Sequence, residues 1–280
     1  FTVNDGAHLS GLIDGGAGGF DTLNIEGEHQ QVTFASAGPN SGSILLDGER
    51  ITYDGLEPVT VSGSDVTVLG TAGDDNLSIS VTAGGISVSG TTMETLIVGP
   101  APANLTVLGN LGADHISVAT DLSISGALAI DAESVTASGV TIGAASIDFS
   151  ATSDVDATPS GPLGHTVASG SAQIDLQGVT LTADTISLTA SSTVEARDES
   201  GVLSWIDVDS EAAVCVDGAS HITAGSVEVG ATSEVIVSGK ATAQGIFSTL
   251  DAGVAIASVD SSAQAHLSGD TSLLVTGALK

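Results

Sequence analysis

Val66-Thr-Val-Leu-Gly-Thr-Ala-Gly-Asp-Asp-Asn-Leu-Ser-Ile79 returns 39 residues later as Leu105-Thr-Val-Leu-Gly-Asn-Leu-Gly-Ala-Asp-His-Ile-Ser-Val118, without a gap and with seven identities in fourteen positions. A fixed period of this length is the signature of a repeat architecture. A further pair precedes the two copies, Leu56-Glu57-Pro58-Val59-Thr60-Val61 and Met93-Glu94-Thr95-Leu96-Ile97-Val98, and Gly15 to Ile25 is a degenerate third copy. The second half repeats in other words at nearly the same pitch. Ile147-Asp-Phe-Ser-Ala-Thr-Ser-Asp-Val155, Ile186-Ser-Leu-Thr-Ala-Ser-Ser-Thr-Val194 and Val227-Glu-Val-Gly-Ala-Thr-Ser-Glu-Val235 are offset by 39 and 41 residues.

Inside each repeat apolar and polar residues alternate, as in Glu234-Val235-Ile236-Val237, and Gly, Asn, Asp or Ser clusters interrupt the runs. That period-two pattern predicts strands, and helical periodicity is almost absent. A β-sandwich has no reason to repeat at constant pitch, whereas stacked coils do. The expected fold is therefore all-β, a parallel β-helix (β-solenoid) with short strands. About two coils of roughly 20 residues would make each 39-residue repeat. Residues 1–119, with Gly/Asp-rich turns, and residues 120–280, rich in Ala, Ser, Thr and Val, read as two vocabularies of one continuous solenoid. Thr158 to His165, Asp198 to Trp205 and Ala241 to Leu250 break the pattern and are expected to protrude as side loops.

Composition narrows the function. Acidic residues number 34 against four basic ones, Arg50, Arg197, Lys240 and Lys280, for a formal net charge of -30. Such a surface repels phosphates, which argues against DNA, RNA or an anionic membrane as a partner. With 41% apolar residues the chain can still bury a core, and with 2% aromatics that core must be Val, Ile, Leu and Ala. Cys215 is the single cysteine, so no intrachain disulfide forms, and alternation places its thiol on the outer face. No apolar run is long enough to span a bilayer. Both termini read as cuts from something longer.

Gly70-Thr-Ala-Gly-Asp-Asp-Asn-Leu77 and Gly109-Asn-Leu-Gly-Ala-Asp-His-Ile116 resemble the Gly-x-x-Gly-x-Asp turn of RTX-type calcium β-rolls and of giant repetitive secreted bacterial adhesins. The resemblance implies Ca²⁺ at Asp14, Asp21, Asp74, Asp75 and Asp114, where carboxylates and carbonyls supply hard oxygen ligands. β-Rolls carry the nonapeptide in uninterrupted tandem; here the copies lie 39 residues apart. The alternative role for Asp75 and Asp114 is structural, accepting hydrogen bonds from following amides in Asx-type turns.

Catalysis is not expected. A lyase needs basic residues to abstract a proton and neutralise a uronate, and a hydrolase needs paired carboxylates with aromatic platforms. The six histidines lack metal-ligand spacing and are expected in solvated positions, and Trp205 shares the outward parity of Asp207 and Asp209. The sequence thus predicts a structural or adhesive extracellular segment of a bacterial surface protein or filament that self-associates end to end. A calcium-dependent or carbohydrate-binding module, recognising cell-surface or matrix glycans, is the competing expectation. A polysaccharide-degrading β-helix is a distant third.

Overall fold

The computed structural model describes the chain apart from residues 8, 10, 17, 19, 159–162, 199–202 and 240–253. Among the described residues every regular element is a β-strand. The strands form two sheets, of 11 and 13 strands, whose neighbours are mostly parallel and which do not close into a barrel. The chain passes repeatedly from the larger sheet to the smaller: Gly63–Leu69 is followed by Asn76–Thr82, Asn104–Leu108 by His115–Val118, and Ser146–Ala157 by Leu163–Gln177.

The register answers what the pitch means. Val66 pairs with Leu105, Leu77 with Ile116, Ile147 with Ile186, and Ile186 with Val227. Residues 39 or 41 apart are thus direct hydrogen-bonded neighbours, so the expected two coils per repeat are corrected to one passage through both sheets. Steps near 20 residues occur at the start of the chain, at Thr2↔Asn24, and in a central region, at Leu105↔Leu128, Leu128↔Ile147 and His115↔Ser134. Elsewhere the extra residues are taken up in two ways. Early in the chain, Asn76–Thr82 turns back as the antiparallel strand Gly85–Gly90, which then pairs antiparallel with Leu96–Val98. Later, the strands lengthen.

The expectation of short strands fails in that later half, where Leu163–Gln177 and Leu203–Asp217 each run for 15 residues and Thr180–Asp198 and His221–Gly239 for 19. Thr180–Asp198 pairs first with Thr141–Gly143 and then, from Thr185, with Ser146–Ala157, so one long strand carries two partner strands that are separated at Ala144–Ala145.

Alternation drives inward residues into one apolar cluster running from Val3 to Val227, dominated by Val, Ile and Leu; Tyr53, Phe34 and Phe149 are its largest fully buried members. Burying such branched side chains yields about 1.5–3 kcal/mol each, which offsets the cost of ordering a Gly-rich chain. Beyond this body the long strands overrun the core as a two-layer flange with its own small cluster: Ala168, Val194, Ala196, Ile206 and Val208.

The flange corrects the expected side loops. Leu163 to His165 and Leu203 to Trp205 are strand, paired residue for residue with one another, as is Asp198, which pairs with Gly239. The expected loop at 241–250 lies outside the described residues, as do 159–162 and 199–202.

Between body and flange lies a layer of hydroxyls. Ser192 and Ser210 are fully buried, with their oxygens 2.9 Å apart. Ser233 donates to the Ser210 hydroxyl at 2.8 Å and lies 2.7 Å from that of Ser261. Gly170 completes the layer because a Cβ there would stand 2.8 Å from Val194 Cγ2 and 2.9 Å from Ser192 Oγ.

Candidate functional site: a ladder of carboxylates

The two Gly-x-x-Gly-x-Asp turns stack directly on one another. In the first, the Asp75 carboxylate folds back onto its own turn, accepting from the Thr71 amide at 2.6 Å and from the Thr71 hydroxyl at 3.0 Å. A Cβ on Gly70 would lie 2.5 Å from Asp75 Oδ2 and 2.4 Å from the Gly109 carbonyl oxygen. The first glycine of the motif is therefore a space requirement set by the aspartate five residues later.

In the second turn a Cβ on Gly109 would likewise strike the Asp114 carboxylate, but the hydrogen bonds differ. Asn110 adopts φ of 88°, a left-handed conformation that asparagine tolerates, and its side-chain amide donates to the Thr71 carbonyl at 3.0 Å. Asp114 instead uses Oδ1 to accept from the Asp75 amide at 2.8 Å, while its own amide donates to Glu133 Oε2 at 2.7 Å. Each rung thus offers a carboxylate to the backbone of the one before it. Asp74 reverses the sense, with its Oδ1 accepting from the Ala113 amide at 2.9 Å. The expected turn chemistry is corrected accordingly: the amides bound by Asp75 and Asp114 precede them or belong to the neighbouring rung.

Asp114 is buried and its Oδ2 has no hydrogen-bond partner. Burial pushes its carboxyl up to about 6; the Asp75 hydrogen bond opposes this, and the charges of Glu133, Asp75 and Asp74 add to it. Asp114 also lines a cleft of about 330 Å³ with Asn110, Asp131, Glu133 and Asp154. Desolvation likewise raises Asp131, with Asp148 adding to it and hydrogen bonds from Ser150 and Thr152 opposing it.

The five sequence candidates do not converge. Asp74, Asp75 and Asp114 share this stack. Asp14 lies in Leu12–Asp14, on a strand pairing with Glu49–Asp54, where its carboxylate accepts from the Gly16 amide at 2.8 Å in an ordinary Asx turn. Asp21 stands apart from both, its backbone carbonyl accepting from the Glu57 amide at 2.7 Å. Among the described residues no group of three or more His, Cys, Asp or Glu side chains is arranged to hold a metal ion.

Glu94 escaped the sequence reading. It is fully buried, Ser36 donates to its Oε2 at 3.3 Å, and its Oε1 has no partner. Desolvation pushes it up to about 8, against the Ser36 hydrogen bond and one from its own backbone. Its counterpart in the preceding repeat, Glu57, is exposed, and because both aligned positions carry Glu the sequence held no signal that separates them.

Two histidines are also less solvated than expected. His115 has Nδ1 3.0 Å from Ser134 Oγ and Nε2 3.2 Å from Thr136 Oγ1, and His29 Nδ1 lies 3.3 Å from Asp47 Oδ2.

No family model, curated protein or solved structure matches this chain. No helix among the described residues is long and apolar enough to cross a membrane.

Proposed function

We propose that this chain is a non-catalytic, rod-forming β-solenoid segment of an extracellular bacterial surface protein or filament. The observation carrying this reading is the uninterrupted parallel register of the repeats: Ser146 to Ala157 pair one-to-one with Thr185 to Ala196, and Thr185 to Asp198 pair with Ser226 to Gly239. Stacking equivalent positions adds length by repetition, and 11 strands at a spacing of about 4.8 Å extend on the order of 50 Å. The acidic surface favours a role in which the body is solvated and stands clear of anionic envelopes.

End-to-end association is the means by which such a segment builds a longer rod, since terminal strands offer unpaired edges. Electron microscopy and small-angle scattering of the purified chain across a concentration series test this. Rods that lengthen with concentration are expected. Compact, dispersed particles at the highest concentration would refute filament assembly.

One observation favours a second reading, a calcium-dependent module: the partnerless Asp114 Oδ2 beside Glu133. A bound cation would raise the thermal midpoint in Ca²⁺ over EDTA. An unchanged midpoint would remove that reading.

A further inference from the structure

The outer surface of the 11-stranded sheet follows a simple rule along the body: its outward positions are polar or small, as with Ser117, Ser134, Thr136, Gln173, Asp175 and Gln177. Ile97 is a half-buried exception in the body, and the flange departs further on adjacent strands, the last of which, Val254–Leu267, is exposed on both faces. Val167 is 63% exposed, Trp205 45%, Val254 52% and Ile256 43%, all at outward positions of adjacent strands. His165, Trp205 and Ile256 form one row across three strands, and the His165 ring stands edge-on to the indole at 90° with centroids 6.4 Å apart. Trp205 is the chain's single tryptophan. Exposed large apolar groups gathered in a pattern that elsewhere keeps them inside mark an interaction surface.

The same face carries acids. Asp207, Asp209 and Glu211 follow Trp205 at alternate positions of Leu203–Asp217, and Asp209 sits directly beside Asp260 of the next strand. Like charges side by side on neighbouring strands are destabilising. Arg50, Arg197 and Lys280 all lie elsewhere, Arg197 in the opposite layer beside Glu195.

We propose that this face of the flange docks a basic, extended polypeptide segment of a partner. Its guanidinium or ammonium groups would stack on the Trp205 indole and neutralise the Asp209–Asp260 pair, while its aliphatic portions cover Val167 and Ile256. Charge complementarity selects this occupant: an anionic glycan or nucleic acid is repelled, and the same face of a second copy would set Asp207, Asp209 and Glu211 against their own kind. The inference rests on the flange alone, so its failure leaves the rod reading intact.

Hexa-arginine is a suitable probe, read by Trp205 emission and by calorimetry at fixed ionic strength. Saturable binding that shifts the emission is expected, weakened about tenfold by Asp209→Asn with Asp260→Asn, since two exposed ion pairs are lost together. The charge-matched Asp156→Asn with Glu234→Gln pair, on the opposite layer of the same flange, leaves the affinity within about twofold. Equal weakening by both pairs would mean diffuse ionic attraction and overturn the proposal. So would an emission shift produced by cellohexaose and not by hexa-arginine.

Discussion

Replacing Glu94 with glutamine isolates one buried proton. Glu94 has its carboxyl pushed from 4.5 to about 8 by burial, so the folded protein holds a proton that the unfolded chain releases. With the folded value raised, its contribution is fully present below about pH 4.5 and is lost as pH climbs through 8. A displacement of about 3.5 units at ~1.36 kcal/mol each amounts to roughly 5 kcal/mol of differential stability between those limits. The substituted amide keeps the shape and an acceptor for Ser36 without an ionisable group. The two proteins should therefore unfold alike at about pH 4, and the variant should become more stable by about 5 kcal/mol at about pH 9. Thermal or urea unfolding of both, recorded at half-unit intervals, is the assay. Taking the difference cancels the pH response shared by the other carboxylates. A difference that stays flat between about pH 5 and 8 would show that Glu94 ionises without cost and that the burial argument is wrong.

Three further outcomes follow from the same geometry. Gly70→Ala should cost more than about 2 kcal/mol in urea unfolding, since its Cβ would strike the Gly109 carbonyl and the Asp75 carboxylate, whereas Gly73→Ala, with open space around it, should be nearly neutral. Equal effects would refute the space requirement. Ser210→Ala should cost about 1–2 kcal/mol by stranding the buried hydroxyl of Ser192, and adding Ser192→Ala should cost less than the sum of the single changes. Cys215, raised by burial and by Asp175, Asp217 and Glu211, should react with iodoacetamide at about pH 8 several-fold more slowly than free cysteine. Asp175→Asn with Asp217→Asn should recover part of that rate.

The pitch was legible because neighbouring rungs must match: Val66 and Leu105 face the same core, so selection for packing writes similar residues at both. The number of passages within one pitch was not legible. A period counts residues between equivalent positions and is blind to whether the chain spends them on a second coil, on the Gly85–Gly90 detour, or on a 19-residue strand. The side loops misled for a related reason. Pro and Gly at 159–164 signalled a turn, but Val155 and Ala157 before it and Ala168 after it already belonged to a second core. Among the site residues, the Gly–Asp spacing identified the stack of Asp75 and Asp114. Glu133 was missed because it lies 19 residues on, outside the motif's pitch, and Glu94 because a carboxylate in a repeat is ordinarily read as solvated.

The hydroxyl layer at the root of the flange has a dynamic consequence. Apolar contact is what couples parts of a protein into one cooperative unit, and here two apolar clusters meet across serines whose bonds can be exchanged for water at small net loss. The flange can then open and reclose while the body stays folded. Its amides should exchange with solvent in a faster tier than those of Ile147, Leu188 or Val214, as hydrogen-exchange measurement of the whole chain would show.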